Sequence, residues 1–171
     1  MYIRGLKWIK VERRSSGVLP LTLKVEQMFL GQYHHNLDEK GRLTIPAKFR
    51  DALVEGAFLT QGFDRNLRLI TEADFEVMSE KINRLSMTDP SIRQLRRLIF
   101  ATASEVQLDR IGRTLIPQFL RDFAGLENEA IIVGVGEAIE IWSPAAWADQ
   151  ENLLQDADAN AQRFAELDLS L

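Results

Sequence analysis

The stretch Leu37–Asp51 reads "LDEKGRLTIPAKFRD", and 71 residues later Leu108–Asp122 reads "LDRIGRTLIPQFLRD". Fifteen aligned positions hold eight identities: Leu, Asp, Gly, Arg, Ile, Pro, Arg and Asp. The echo continues downstream with one inserted residue. "FLTQGFDRNLRLITEADF" (58–75) lies over "AIIVGVGEAIEIWSPAAW" (130–147), which matches Gly62 to Gly134, Leu67 to Ile139 and Leu69 to Ile141. Two copies are too few for a solenoid. The expected architecture is an internally duplicated pseudo-dimer.

Both copies parse alike. A strand leads into Asp-x-x-Gly-Arg, and a short second strand runs to a proline at the first turn of a short helix, "PAKFRDALVEG" or "PQFLRDFAG". Gly56 and Gly125 are the expected stops. A β-hairpin follows, "AFLTQ" with "LRLIT" in the first copy and "AIIVG" with "AIEIW" in the second. Thr71 and Ser143-Pro144 then read as helix caps. Phe75, Met78, Ile82 and Leu85 form an amphipathic stripe, and Asp89-Pro90 restarts a helix with Ile92, Leu95 and Ile99 on its apolar face.

Residues 1–27 belong to neither copy. They lack the apolar core and cleavage site of a secretory signal. They are expected to be a disordered extension, with Met28 as the functional start. The expected division is 28–100 for the first half with its helices, 101–155 for the second, and 156–171 for an acidic tail that frays.

The net charge of -4 conceals an asymmetry. Residues 1–27 hold six basic and two acidic groups, 28–126 hold 14 and 13, and 127–171 hold one and ten. That argues against indiscriminate polyanion binding but leaves room for a local basic surface. With no cysteine, disulfides and thiolate metal sites are excluded. His34 and His35 are adjacent, so on a strand they point to opposite faces and do not share a metal. No apolar run is long enough to span a membrane.

The turns carry the candidate chemistry. In each, the aspartate can accept from backbone N–H groups two or three residues on, and the glycine permits positive φ. Asp38, Gly41, Asp109 and Gly112 are thus turn-forming, while Lys40, Arg42, Arg110 and Arg113 are presented on a rigid support. An arginine fork suits a phosphate or the O6/N7 edge of guanine. It equally suits stapling to the turn's own aspartate, and both roles stay open. Lys40 is matched by Ile111 and Glu39 by Arg110, so the first turn reads as the better phosphate binder. Arg93, Arg96 and Arg97 form a second basic cluster, for which a solvated face, pairing with the acidic C-terminal region and accessory phosphate contact are the alternatives. Asp38 and Asp109 could be drawn as a paired general acid and base, yet each has a turn to hold. There is no nucleophile elbow, P-loop or zinc spacing, so neither an enzyme nor a cofactor is expected.

With "MFLGQYHHNLDEKGRLTIPAKFR", both turn motifs, the "AIIVGVGEAIEIW" hairpin and the closing "LDLSL", the chain resembles the MraZ family across 28–171. The resemblance implies an α+β, β-rich fold of tandem AbrB/SpoVT-like swapped-hairpin halves, joined as an intramolecular pseudo-dimer with flanking helices. It implies a cytoplasmic, nucleoid-associated transcriptional regulator of the division and cell-wall gene cluster, including its own operon. Its partners would be double-stranded DNA, as short direct repeats, and further copies of itself in a ring; no membrane or small-molecule substrate is implied. The DNA contacts implied are Lys40, Arg42 and Arg113, with Arg110 beside them. An antitoxin-like protein-interaction module without operator binding is the alternative, since the same half-unit occurs in antitoxins.

Overall fold

The computed structural model describes residues 28–167, so the expectation for 1–27 lies outside the described residues. The first copy forms β1 (Phe29–Asn36), β2 (Arg42–Thr44), α1 (Ala47–Arg50) running on as a 3-10 turn (Asp51–Leu53), β3 (Ala57–Gln61), β4 (Leu67–Thr71) and α2 (Glu72–Asn83). Helix α3 (Pro90–Thr102) leads into the second copy: β5 (Ser104–Val106), β6 (Arg113–Leu115), α4 (Gln118–Ala124), β7 (Glu129–Gly136), β8 (Ile139–Trp142) and α5 (Pro144–Gln155). A last helix, α6 (Ala157–Arg163), follows.

The halves interleave. The main sheet has the order β1-β7-β8-β4-β3-β5, so the leading strand of each half pairs with the hairpin of the other. All its pairings are antiparallel. Strands β2 and β6 make a separate two-stranded ribbon. Exchanging the copies maps both central registers onto themselves. In the sheet, Leu67 faces Ile141 and Leu69 faces Ile139, with Arg68 opposite Glu140 between them. In the ribbon, Arg42 faces Leu115 and Thr44 faces Arg113, with Leu43 opposite Thr114 between them. A local two-fold therefore runs through both pairs, and the chain is α+β with its two repeats forming an intramolecular pseudo-dimer.

Period-two alternation explains how the sheet is covered. Leu59, Leu67, Leu69, Ile132, Ile139 and Ile141 point to one face, where they form a single core with Leu43, Ile45 and Phe49 of the first copy and Ile116 and Leu120 of the second. Their neighbours point the other way. Phe58 stacks on Phe75 of α2 at 4.3 Å, and Phe100 of α3 meets Phe75 edge-on at 6.2 Å. At the other end Ile131, Val133 and Trp142 pack with Trp147 of α5. One face thus holds the ribbon with its short helices, and the other holds the long helices.

The expected caps are present. The side chains of Thr71, Asp89 and Ser143 accept from the N–H groups of Asp74, Ser91 and Ala146, each satisfying an orphan helix donor. Gly125 ends α4 in the left-handed region. Three local expectations need correction. Pro46 and Pro117 stand at the N-cap with extended ψ, one residue before the first turn. The first short helix tightens to 3-10 geometry at Asp51 instead of continuing. Residues 157–163, expected to fray, form α6, whose first turn is capped by the Asp156 carboxylate accepting from Ala159 N–H.

Candidate nucleic-acid interface

Each Asp-x-x-Gly-Arg segment closes by the same bonds. Asp38 Oδ1 accepts from the N–H groups of Lys40 and Arg42, both at 3.0 Å. Asp109 Oδ1 accepts from Ile111 at 3.0 Å and Arg113 at 2.9 Å. The donors lie two and four residues on, not two and three, because the backbone closes the intervening step: Gly41 N–H donates to Asp38 O and Gly112 N–H to Asp109 O. Both glycines have positive φ, 75° and 82°, as the turn requires. The arginine that follows each glycine donates from Nε to the aspartate Oδ2, at 2.7 Å for Arg42 and 2.8 Å for Arg113. The staple is therefore real.

The staple does not consume the guanidinium. Among the described residues no protein group bonds the Nη atoms of Arg42, and Arg113 commits only Nη1, to Asp38 Oδ2 at 3.3 Å. Stapling by Nε fixes the plane of each fork while leaving Nη donors for a further acceptor. The backbone N–H donors, with those of Arg42 and Arg113 contributing most, hold both carboxyls below their ordinary range, Asp109 at about 2. Carboxylates ionised so firmly and bonded so fully are poor general acids or bases.

The turns are not two separate features. Ile45 N–H donates to Gly112 O and Ile116 N–H to Gly41 O, both at 2.9 Å, so each ribbon strand continues onto the other copy's turn. Together with the Arg113–Asp38 bond, this joins both turns into one surface. Alternation within the ribbon sends Leu43 and Thr114 inward, where they are buried. Arg42, Thr44, Arg113 and Leu115 lie on the opposite, outward face. Lys40 and Arg110 are exposed at the turn tips, with no side-chain partner among the described residues. The structure thus brings Lys40, Arg42, Arg110 and Arg113 together.

It does not bring Arg93 and Arg96 to that surface. Arg93 Nη1 donates to the carbonyls of Met87 and Thr88, at 2.9 and 3.0 Å. Arg96 Nη1 reaches Ile82 O at the end of α2, with its guanidinium over the Phe100 ring. Both clamp the corner between α2 and α3, Arg93 through bonds that stay exposed, and among the described residues neither pairs with an acidic group of the C-terminal region. Arg97 is exposed. His34 is exposed and His35 half-buried, on opposite faces of β1. Burial, and then the nearby Arg50 charge, pushes the His35 pKa down.

Two residues escaped the sequence reading. Arg50 packs over Gly112 and Arg121 over Gly41, so each half covers the other half's turn. Arg50 Nε donates to Ile45 O at 2.8 Å, and Arg121 Nη2 donates to Gln118 Oε1. The signal was present, because this arginine is one of the eight repeated residues. Only the interleaved pairing gives it a target, since the glycine it covers lies in the opposite copy.

Among the described residues no helix is long and apolar enough to cross a membrane. A family model described as "MraZ protein, putative antitoxin-like" matches twice, over residues 28–98 and 99–168. Proteins named "Transcriptional regulator MraZ" are similar over most of the chain. The one from Thermomicrobium roseum is 49% identical over 141 residues, covering 82% of this chain and 99% of its own length. That from Roseiflexus castenholzii is 48% identical over 139 residues, covering 81% and 95%. That from Herpetosiphon aurantiacus is 51% identical over 120 residues, covering 70% and 84%. With a family match to each of its two interleaved repeats and relatives of this identity along most of its length, the chain belongs to the MraZ family.

Proposed function

We propose that the protein is a sequence-specific DNA-binding transcriptional regulator whose DNA face is the β2–β6 ribbon with its two turns. The observation that carries this reading is the outward pair of stapled arginines, Arg42 and Arg113, on a ribbon flanked by exposed Lys40 and Arg110. A two-stranded ribbon fits the major groove, where an arginine fork can take a guanine edge or a phosphate. The name "Transcriptional regulator" borne by the relatives supports the same reading.

The proposed targets are short direct repeats upstream of its own operon, within the division and cell-wall gene cluster, and the proposed compartment is the cytoplasm at the nucleoid. A chain of net charge -4 gains little from counterion release alone. Several ribbons presented by a ring of subunits would gain affinity through effective concentration when the repeat spacing matches the subunit spacing. A mobility-shift series on the upstream region tests the proposal. Wild type is retained, and Arg42→Ala loses retention while its far-ultraviolet spectrum is unchanged.

The family description "antitoxin-like" favours a second reading, in which the face masks a protein partner. That reading requires no shift with the upstream DNA and a co-purifying protein from native cells.

A further inference from the structure

The two copies that make the ribbon are built alike but furnished differently. Where the first copy has Lys40, Thr44 and Lys48, the second has Ile111, Leu115 and Phe119 at the repeat-equivalent positions. All three apolar residues are exposed, Ile111 at 60%, Leu115 at 58% and Phe119 at 49%. A lone exposed leucine is ordinary. Leu115 is not placed like one. It sits directly opposite Arg42 on the outward face of the ribbon, the pair related by the local two-fold being Arg113 with Thr44. The core residues beside it in the chain, Thr114 and Ile116, are buried.

Resting on the DNA-binding reading, we propose that Leu115, with Ile111 on the preceding turn, is a specificity contact for the 5-methyl group of thymine. A side chain facing the major groove beside a phosphate- or guanine-binding arginine meets base edges made of hydrogen-bonding groups, with one apolar exception, the thymine methyl. Leucine and isoleucine offer no hydrogen bond, so that methyl is the only base-edge group they match. The two ends of the ribbon then read different chemistry: at one, Lys40 and Arg42 take phosphate or guanine with Leu115 beside them for thymine, and at the other Ile111 stands with Arg113 and Thr44. This gives the DNA site a polarity that a symmetric pseudo-dimer would otherwise lack.

The test compares binding of the full chain to its upstream region made with thymine and made with deoxyuridine throughout, which removes only the methyl groups. Leu115→Thr installs the residue that the first copy carries in the same strand, so folding is preserved; Ile111→Ala is a second variant outside the strands. Wild type should bind thymine DNA more tightly, on the order of fourfold for each methyl buried. Leu115→Thr should lose most of that ratio and Ile111→Ala part of it. Equal binding of both DNAs by wild type, or a ratio unchanged in both variants, overturns the inference while leaving the DNA-binding reading intact. A changed assembly state in Leu115→Thr with the thymine preference retained overturns it in favour of a subunit contact. Failure of wild type to bind either DNA removes both readings.

Discussion

Arg113 of the second repeat donates from Nη1 to Asp38 Oδ2 of the first at 3.3 Å, onto the same oxygen that Arg42 Nε contacts at 2.7 Å. One carboxylate therefore ties together both turns and both halves. The reciprocal bond is absent from the described residues: Asp109 receives its own Arg113 and no arginine from the first half. The local two-fold is broken at its most charged point.

Asp38→Ala should consequently lower the thermal midpoint more than Asp109→Ala. The first removes two side-chain partners and two backbone acceptor bonds, the second one side-chain partner and two backbone bonds. Circular-dichroism melts of the two variants, side by side, decide the order.

Acid sensitivity follows from the same carboxylates. Both are held below the ordinary carboxylate value by bonds to the charged form, Asp109 at about 2. As pH falls, the unfolded chain takes up these protons before the folded one does. The stabilisation is complete above about pH 4, the ordinary aspartate value, and is lost as pH drops towards about 2. Urea midpoints measured between those limits should fall steeply in wild type and less steeply in Asp109→Asn.

Gly112 and Gly136 separate backbone strain from crowding. Both have positive φ, 82° and 87°. A side chain at Gly136 would meet nothing within 4 Å, whereas at Gly112 it would collide with Arg50. Gly136→Ala should cost only the left-handed strain, roughly 1–2 kcal/mol. Gly112→Ala should cost more, because Arg50 must also leave its place over the turn. Chemical denaturation of both variants gives the difference.

Leu43 sits on the local two-fold, fully buried between ribbon and sheet, with Thr114 opposite it. Leu43→Ala should destabilise the fold by about 2–5 kcal/mol, the range for a large-to-small change at a close-packed site. Denaturant midpoints at constant slope would establish it.

Much of this fold is legible in the sequence because its signals are local. The repeated Asp and Gly specify turns, Thr71 and Ser143 specify caps, and the alternation of Leu67, Leu69, Ile139 and Ile141 specifies strands with one buried face. Strand partners are not local. Nothing within β1 names β7, and β5, three residues long, shows as a strand only through its likeness to the first copy. The roles of Arg50 and Arg121 were hidden for the same reason, since each acts across the interleaved halves. Arg96 was misplaced because helical spacing gives a side chain's origin, while the Ile82 carbonyl and the Phe100 ring decide where its long stem goes.

If DNA lies against the ribbon and its turns, Lys40 is the residue that shows it most cleanly. Its side chain bonds no other described residue, so Lys40→Ala leaves the fold alone. The measurement is affinity for the upstream DNA across a series of salt concentrations, for wild type and Lys40→Ala. Binding by the variant should be weaker, with a salt slope shallower by about one for each phosphate that Lys40 neutralises in wild type. An unchanged affinity and slope would contradict it and put any DNA on another face.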